Sequence, residues 1–188
     1  YYISPKVWAW KEYRVKQIKK YITEMYSILP FETDFYARHG YKVEYVGNPS
    51  VNEIADASAR FSSREDFIAA NGLDSGKDIV AILPGSRKKE IEDNLREMLG
   101  AVSRFPGVQA VVGGAPGLPA EFYENVLEQL GYAENKPKIL FGKSMELVSH
   151  AKAALVTSGT ATLETAILKT PQVVCFRMGC SKIVYTLY

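Results

Sequence analysis

Ile79-Val80-Ala81-Ile82-Leu83-Pro84-Gly85-Ser86-Arg87-Lys88-Lys89-Glu90 decides how this chain folds. Five apolar residues in a row mark a strand buried on both faces, as in a parallel sheet. Pro84 and Gly85 break that strand, and Ile91, Leu95, Met98, Leu99 and Val102 then recur at helical spacing. Between strand and helix lie a small flexible residue, a hydroxyl and a guanidinium. A helix start offers free backbone N–H groups and the positive end of its dipole, and an arginine can hold a phosphate with two hydrogen bonds. Two interpretations fit at this point: an anion site, or an ordinary strand–loop–helix connection with an exposed arginine.

Downstream the alternation is regular. Residues 108–112 read as a strand ending in Gly113-Gly114, and 119–130 as a helix with Phe122, Val126, Leu127 and Leu130 inward, closed by Gly131. A strand at 138–141, a short helix at 145–150, a strand at 153–157, a helix at 160–168 and a strand at 172–175 follow. Strands separated by helix-length segments predict βαβ units and an α/β fold with a doubly wound, Rossmann-like parallel sheet. In such sheets ligands bind outside the strand carboxyl ends, where strand order reverses. Three loops come to that edge. The first is Pro84-Gly85-Ser86-Arg87; the second is Gly113-Gly114, which lets a ligand approach the backbone; the third is Thr157-Ser158-Gly159-Thr160, entering a helix. Ser158 and Thr160 can cap that helix or donate to a phosphate, and Gly159 removes a blocking side chain. Glu164 either accepts from two adjacent hydroxyls, as on a ribose, or is an ordinary helix glutamate near the dipole's positive end.

Upstream the pattern is looser. Residues 1–4 read as a strand end, with Ser4 and Pro5 as N-cap and first helical position. A basic, aromatic helix is expected over 7–22, with Trp8, Trp10, Val15, Ile18 and Ile22 on it and Lys11, Arg14, Lys19 and Lys20 on its other face. That face is either simply solvated or lies near anionic lipid headgroups or an acidic substrate. Strands at 25–29 and 43–46 flank a helix at 31–39, and 50–60 is a linker or connecting helix. Ser63 should cap a helix ending near Gly72. The first fifty residues thus look like the tail of one α/β unit.

With 188 residues, 47% of them hydrophobic, the chain can build a real core in one or two domains. A net charge of +2 gives no reason to expect nucleic acid as a partner. Cys175 and Cys180 fit neither a metal spacing nor a disulfide framework, so a reducing compartment is expected. No apolar run approaches a bilayer span, and no signal peptide is expected before the first strand. The chain opens on Tyr1-Tyr2-Ile3 without Met and stops inside an apolar-periodic segment (Ile183, Val184, Leu187, Tyr188), as expected of a piece of a longer protein. Neither G-x-G-x-x-G nor a Walker motif occurs, which argues against NAD and ATP. His39 and His150 show no nucleophile or metal partner and are expected to be structural or exposed. Asp74 and Asp78 border a strand's start, the wrong end for chemistry, and no catalytic base is identifiable.

Several segments taken together resemble a known family. They are Tyr2-Ile3-Ser4-Pro5-Lys6-Val7-Trp8-Ala9-Trp10, Leu29-Pro30-Phe31-Glu32 with Phe35-Tyr36, Val46-Gly47-Asn48-Pro49, Leu83-Pro84-Gly85-Ser86-Arg87-Lys88-Lys89-Glu90-Ile91, Ser158-Gly159-Thr160-Ala161-Thr162-Leu163-Glu164 and Val173-Val174-Cys175-Phe176-Arg177-Met178. In order and spacing they resemble lipid-A-disaccharide synthases over essentially the whole chain. The resemblance implies a GT-B glycosyltransferase of two Rossmann-like domains, with 1–55 the end of the acceptor-side domain and linker and 56–188 a truncated donor domain. It implies inverting transfer of 2,3-diacylglucosamine from UDP-2,3-diacylglucosamine to 2,3-diacylglucosamine 1-phosphate, in an enzyme peripheral to the cytoplasmic face of the Gram-negative inner membrane. The family's catalytic aspartate lies in sequence preceding the Ser-Pro-x-Val-Trp-Ala-Trp segment, and its C-terminal helices, often exchanged in a homodimer, follow Tyr188.

On that resemblance Arg87 holds the UDP diphosphate and its developing charge, and Gly85 and Ser86 cradle the same group. Ser158, Gly159 and Thr160 serve the phosphates or sugar, Glu164 the ribose, and Met145 the neighbourhood of the uracil. Gly113 completes the expected site. No metal and no cofactor are expected, since positive groups take the metal's place on the diphosphate. Other assignments are a UDP-N-acetylglucosamine epimerase, a peptidoglycan glycosyltransferase, or an inactive UDP-binding fragment; the Trp-Ala-Trp segment argues against the first two.

Overall fold

The computed structural model describes residues 1–132 and 135–175. The expectations placed on Phe176 to Met178, Cys180 and the apolar segment from Ile183 to Tyr188 lie outside the described residues. The chain divides into two compact units, one of Tyr1–Glu53 and one beginning at Ile54.

In the first unit α1 (Val15–Tyr21) is followed by β1 (Tyr26–Ser27), α2 (Phe31–Arg38) and β2 (Glu44–Tyr45). β1 and β2 pair in parallel, and Tyr2 bridges Tyr26 in the same sense. Val7, Val15, Ile18, Met25, Phe35, Tyr36 and Val43 form the core. The long helix expected over 7–22 is instead two 3-10 turns, Val7–Ala9 and Glu12–Arg14, leading into α1. A long-range tie accounts for the break. Glu32 of α2 is fully buried and accepts from Ser4 Oγ at 2.7 Å, Lys6 Nζ at 2.8 Å and Trp8 Nε1 at 3.0 Å. Those bonds hold residues 4–8 against α2. Ser4 therefore does not cap a helix; its hydroxyl belongs to Glu32.

α3 (Pro49–Ser58) leads into the second unit, and α4 (Arg64–Asn71) follows. Ser63 caps α4 as expected, accepting from the Asp66 N–H, and Gly72 closes it in the left-handed conformation. Then come β3 (Asp78–Leu83), α5 (Lys88–Val102), β4 (Val108–Gly114), α6 (Ala120–Gln129), β5 (Lys138–Phe141), α7 (Ser144–His150), β6 (Ala153–Thr157), α8 (Thr160–Ile167) and β7 (Gln172–Cys175). All five strands run parallel in the order β5-β4-β3-β6-β7. β3 sits in the middle, and alternate residues divide between the two faces: Ile79, Ala81 and Leu83 join a cluster with Phe67, Leu147 and Val148, while Ile82 joins one with Ile91, Leu95 and Tyr123. Each fully buried aliphatic side chain of this kind contributes about 1.5–3 kcal/mol. On α6 the most deeply buried aromatic is Tyr123, with Phe122 beside it half-buried. The Tyr123 hydroxyl can go inward because it accepts the buried Ala115 N–H at 2.8 Å.

Candidate functional site

Strand order reverses between β3 and β6: β4 and β5 lie to one side of β3, β6 and β7 to the other. At the carboxyl ends of β3, β4 and β6 lies a cavity of about 450 Å³, within the range of small-ligand sites. Gly85, Ser86, Arg87, Gly113, Ser158, Gly159, Thr160 and Glu164 all line it. Of the residues singled out in the sequence, Met145 is not on the wall; its neighbour Ser144 is.

The first loop is shaped by its own helix. Arg87 is the N-cap residue of α5 in extended conformation, without a side-chain cap, and is exposed. Glu90, in the first turn, reaches back so that its Oε2 accepts the Ser86 N–H at 3.1 Å. The carboxylate passes under Gly85, where an added Cβ would lie 2.3 Å from Glu90 Oε2; with φ at +118°, glycine is demanded twice. The third loop begins at Thr157, which is buried, and continues through exposed Ser158, Gly159 and Thr160. Gly159 occupies the N-cap of α8 and no side chain caps that helix. Neither Ser158 nor Thr160 caps α8, and both line the cavity at its start. The second loop, Gly113-Gly114, lines the cavity and carries a packing constraint besides. Gly113 and Gly114 are buried, and a Cβ would meet Leu83 at 2.6 Å in the first case and the Phe141 ring at 2.4 Å in the second. Both glycines answer to packing by the protein's own side chains as well as to the cavity.

The charged groups on the wall are Arg87, Glu90 and Glu164. An arginine at one helix start, on a wall that includes a second helix start, suits an anion with two or more oxygens, and a carboxylate one turn into a helix can accept from hydroxyls. The two histidines are elsewhere: His39 Nε2 lies 2.8 Å from Glu12, and the His150 ring packs on Phe67 at 5.0 Å. Asp78 pairs with Lys152, which holds its carboxyl below the ordinary range, at the strand's far end.

A family model described as lipid-A-disaccharide synthetase matches residues 1–186. The chain belongs to the lipid-A-disaccharide synthetase family. Among curated members, a lipid-A-disaccharide synthase of Myxococcus xanthus (strain DK1622) is 38% identical over 183 residues, covering 95% of this chain and 46% of that protein. One from Alkalilimnicola ehrlichii (strain ATCC BAA-1101 / DSM 17681 / MLHE-1) is 37% identical over 189 residues, covering 95% and 47%. The chain thus spans about half the length of the curated relatives it matches. Among solved structures, a UDP-GlcNAc 2-epimerase of Methanocaldococcus jannaschii, in complex with UDP-GlcNAc and UDP, superposes with a TM-score of 0.53 at 16% identity, over 81% of this chain and 45% of that one. At that identity the likeness concerns the fold: a Rossmann-like α/β architecture of GT-B type.

Within this synthetase-family chain the motif residues carry most of the cavity wall, yet Glu90, Asn94 and Thr157 were not assigned roles from sequence. Asn94 is buried, and its amide donates to Pro84 O at 3.2 Å and Thr157 Oγ1 at 3.0 Å. One signal was available. Asn94 falls on the inward stripe of α5 between Ile91, Leu95 and Met98, and a polar residue at such a position needs hydrogen-bond partners.

Proposed function

We propose that this chain is the nucleotide-sugar half of a lipid-A-disaccharide synthase. The reaction is inverting transfer of 2,3-diacylglucosamine from UDP-2,3-diacylglucosamine to 2,3-diacylglucosamine 1-phosphate, with release of UDP. Residues 56–188 are the donor domain, and 1–55 the end of the acceptor-side domain with the linker. One observation carries this assignment: in a chain of this family, Arg87, the start of α5 and the start of α8 converge on one cavity at the sheet's switch point. Arg87 takes the diphosphate, and Gly85 and Ser86 cradle the same group. Ser158 and Thr160 donate to phosphate or sugar, and Glu164 accepts from the ribose hydroxyls. As the bond from sugar to diphosphate breaks, negative charge grows on UDP, and Arg87 with the two helix starts stabilises it. The acceptor's 6-hydroxyl loses its proton to the family's aspartate, which lies outside this sequence.

Calorimetric titration with UDP, with ATP as comparison, tests the site: selective UDP binding that Arg87→Ala abolishes is expected. In the full-length enzyme Arg87→Ala should lower turnover about 10²–10³-fold, the usual loss for one stabilising hydrogen-bond donor. Unchanged turnover would remove Arg87 from the mechanism.

The enzyme works at the cytoplasmic face of the inner membrane as a peripheral protein. Among the described residues no helix is long and apolar enough to cross a membrane. The support for surface attachment is the first unit's mixture of exposed aromatics, Trp10 at 76% and Tyr13 at 70%, with exposed Lys16, Lys19 and Lys20. Reversing those three lysines to glutamate should release the full-length enzyme from vesicles containing anionic phospholipid; equal co-sedimentation would refute the attachment.

A further inference from the structure

The geometry points to Asn94 as a positioning residue that fixes the separation of the two loops holding the nucleotide diphosphate. This rests on the donor-site assignment proposed above and adds to it a residue that does not itself line the cavity.

Pro84 ends the strand segment leading into Gly85-Ser86-Arg87, and Thr157 ends the segment leading into Ser158-Gly159-Thr160. Pro84 directly follows β3 and precedes Gly85 on the cavity wall, and Thr157, the last residue of β6, lines the wall itself; β3 and β6 are the adjacent strands between which the sheet reverses. Asn94 Nδ2 donates one N–H to Pro84 O at 3.2 Å and the other to Thr157 Oγ1 at 3.0 Å. Asn94 and Thr157 are each only 7% exposed, so water does not compete for these bonds. The orientation of the amide follows from its partners: the Pro84 carbonyl can only accept, so the NH2 and not the oxygen must face it.

Two N–H groups leave one nitrogen at a fixed angle, and so a single planar group ties the end of β3 to the end of β6. Aspartate supplies no donor there, and leucine supplies none. A diphosphate held from both sides tolerates loop displacements of only about 0.5 Å before its contacts weaken. Glu90, one turn earlier on the same helix, holds the Ser86 amide, so α5 grips the first loop at two points and Asn94 links it to the third.

The test uses the full-length enzyme with a UDP-sugar donor and the acylated glucosamine phosphate acceptor. Asn94→Leu keeps the branched shape and removes both hydrogen bonds. It should raise KM for the UDP-sugar and the calorimetric Kd for UDP by about 10–100-fold, with the acceptor KM unchanged. Thr157→Val should shift the same constants, and the double variant should be no worse than Asn94→Leu alone, because both remove one linkage. A merely structural residue would lower the active fraction and leave both KM values alone; that outcome, or additive losses, overturns the proposal. Should Asn94→Leu fail to fold, Asn94→Ser, with one hydroxyl for two acceptors, should shift the UDP Kd about 3–10-fold, and no shift overturns it equally. Wild-type enzyme that does not bind UDP refutes the donor site itself. UDP binding that Asn94 variants leave unaltered refutes only the role of Asn94.

Discussion

Replacing Glu32 by glutamine keeps the side chain's volume and removes its charge. The carboxylate is fully buried and receives Ser4 Oγ at 2.7 Å, Lys6 Nζ at 2.8 Å, Trp8 Nε1 at 3.0 Å and the Leu29 N–H at 3.3 Å. In the variant one oxygen still serves Lys6 and Trp8, but an NH2 faces Ser4 and Leu29. The serine hydroxyl can turn and accept, whereas the Leu29 amide cannot. One orphaned N–H costs about 1–3 kcal/mol, and losing the charge weakens the Lys6 bond by about 1 kcal/mol. Lys6 is 38% exposed, so its ammonium turns to water, and the larger penalty of a stranded buried ion does not arise. The expected destabilisation is therefore about 2–4 kcal/mol near neutral pH. Burial pushes this carboxyl up, but the bonds from Lys6, Ser4 and Trp8 pull it down further, and the balance lies below the ordinary glutamate range. Stability from such a group is complete above the unfolded value of about 4.3 and is lost as pH falls through the lower folded value. The gap between parent and variant should thus shrink from pH 7 towards pH 3. Urea unfolding followed by tryptophan fluorescence measures it, since Trp8 and Trp10 both lie in this unit. An unchanged midpoint at pH 7, or a gap equal at both pH values, would refute the account of Glu32.

Two further outcomes concern the second unit. Gly85→Ala sets a methyl 2.3 Å from Glu90 Oε2 at a φ of +118°, strain of about 1–3 kcal/mol before the overlap is counted, so UDP affinity should fall at least about tenfold. Adding Glu90→Ala should recover only part of it, and titration showing no loss would contradict the loop geometry. Tyr123→Phe leaves the buried Ala115 N–H without its acceptor and should cost about 1–3 kcal/mol in urea unfolding; an equal midpoint would show that the bond contributes nothing.

Most of the second unit was legible because its determinants are local. A strand buried on both faces is apolar throughout, as at Ile79 to Leu83, and the stripe of α5 from Ile91 to Val102 repeats at helical spacing. Ser63 and Gly72 mark the ends of α4 within a few residues of what they satisfy. The first unit resisted for the opposite reason. Helical spacing at Val15 and Ile18 extends backwards to Val7 on paper, but Trp8 is held by Glu32, 24 positions away, and Ser4 by the same carboxylate at 28. No pattern within a turn or two contains that information. The strands there are two residues each, too short for alternation to show.

The candidate site divides along the same line. Gly85, Ser86, Arg87 and Glu90 lie within six positions, and the helix start beside them is built by the residues that follow directly. The group from Ser158 to Thr160 is equally local to α8. A motif can therefore pick out residues that the fold gathers on one cavity wall. Their separation is another matter, since it depends on Asn94 meeting Thr157 across 63 positions, and Asn94 reads in sequence only as one polar residue on an apolar stripe. Of the two parts open to Ser158 and Thr160 in sequence, capping is not the one taken up, since Gly159 is the N-cap of α8.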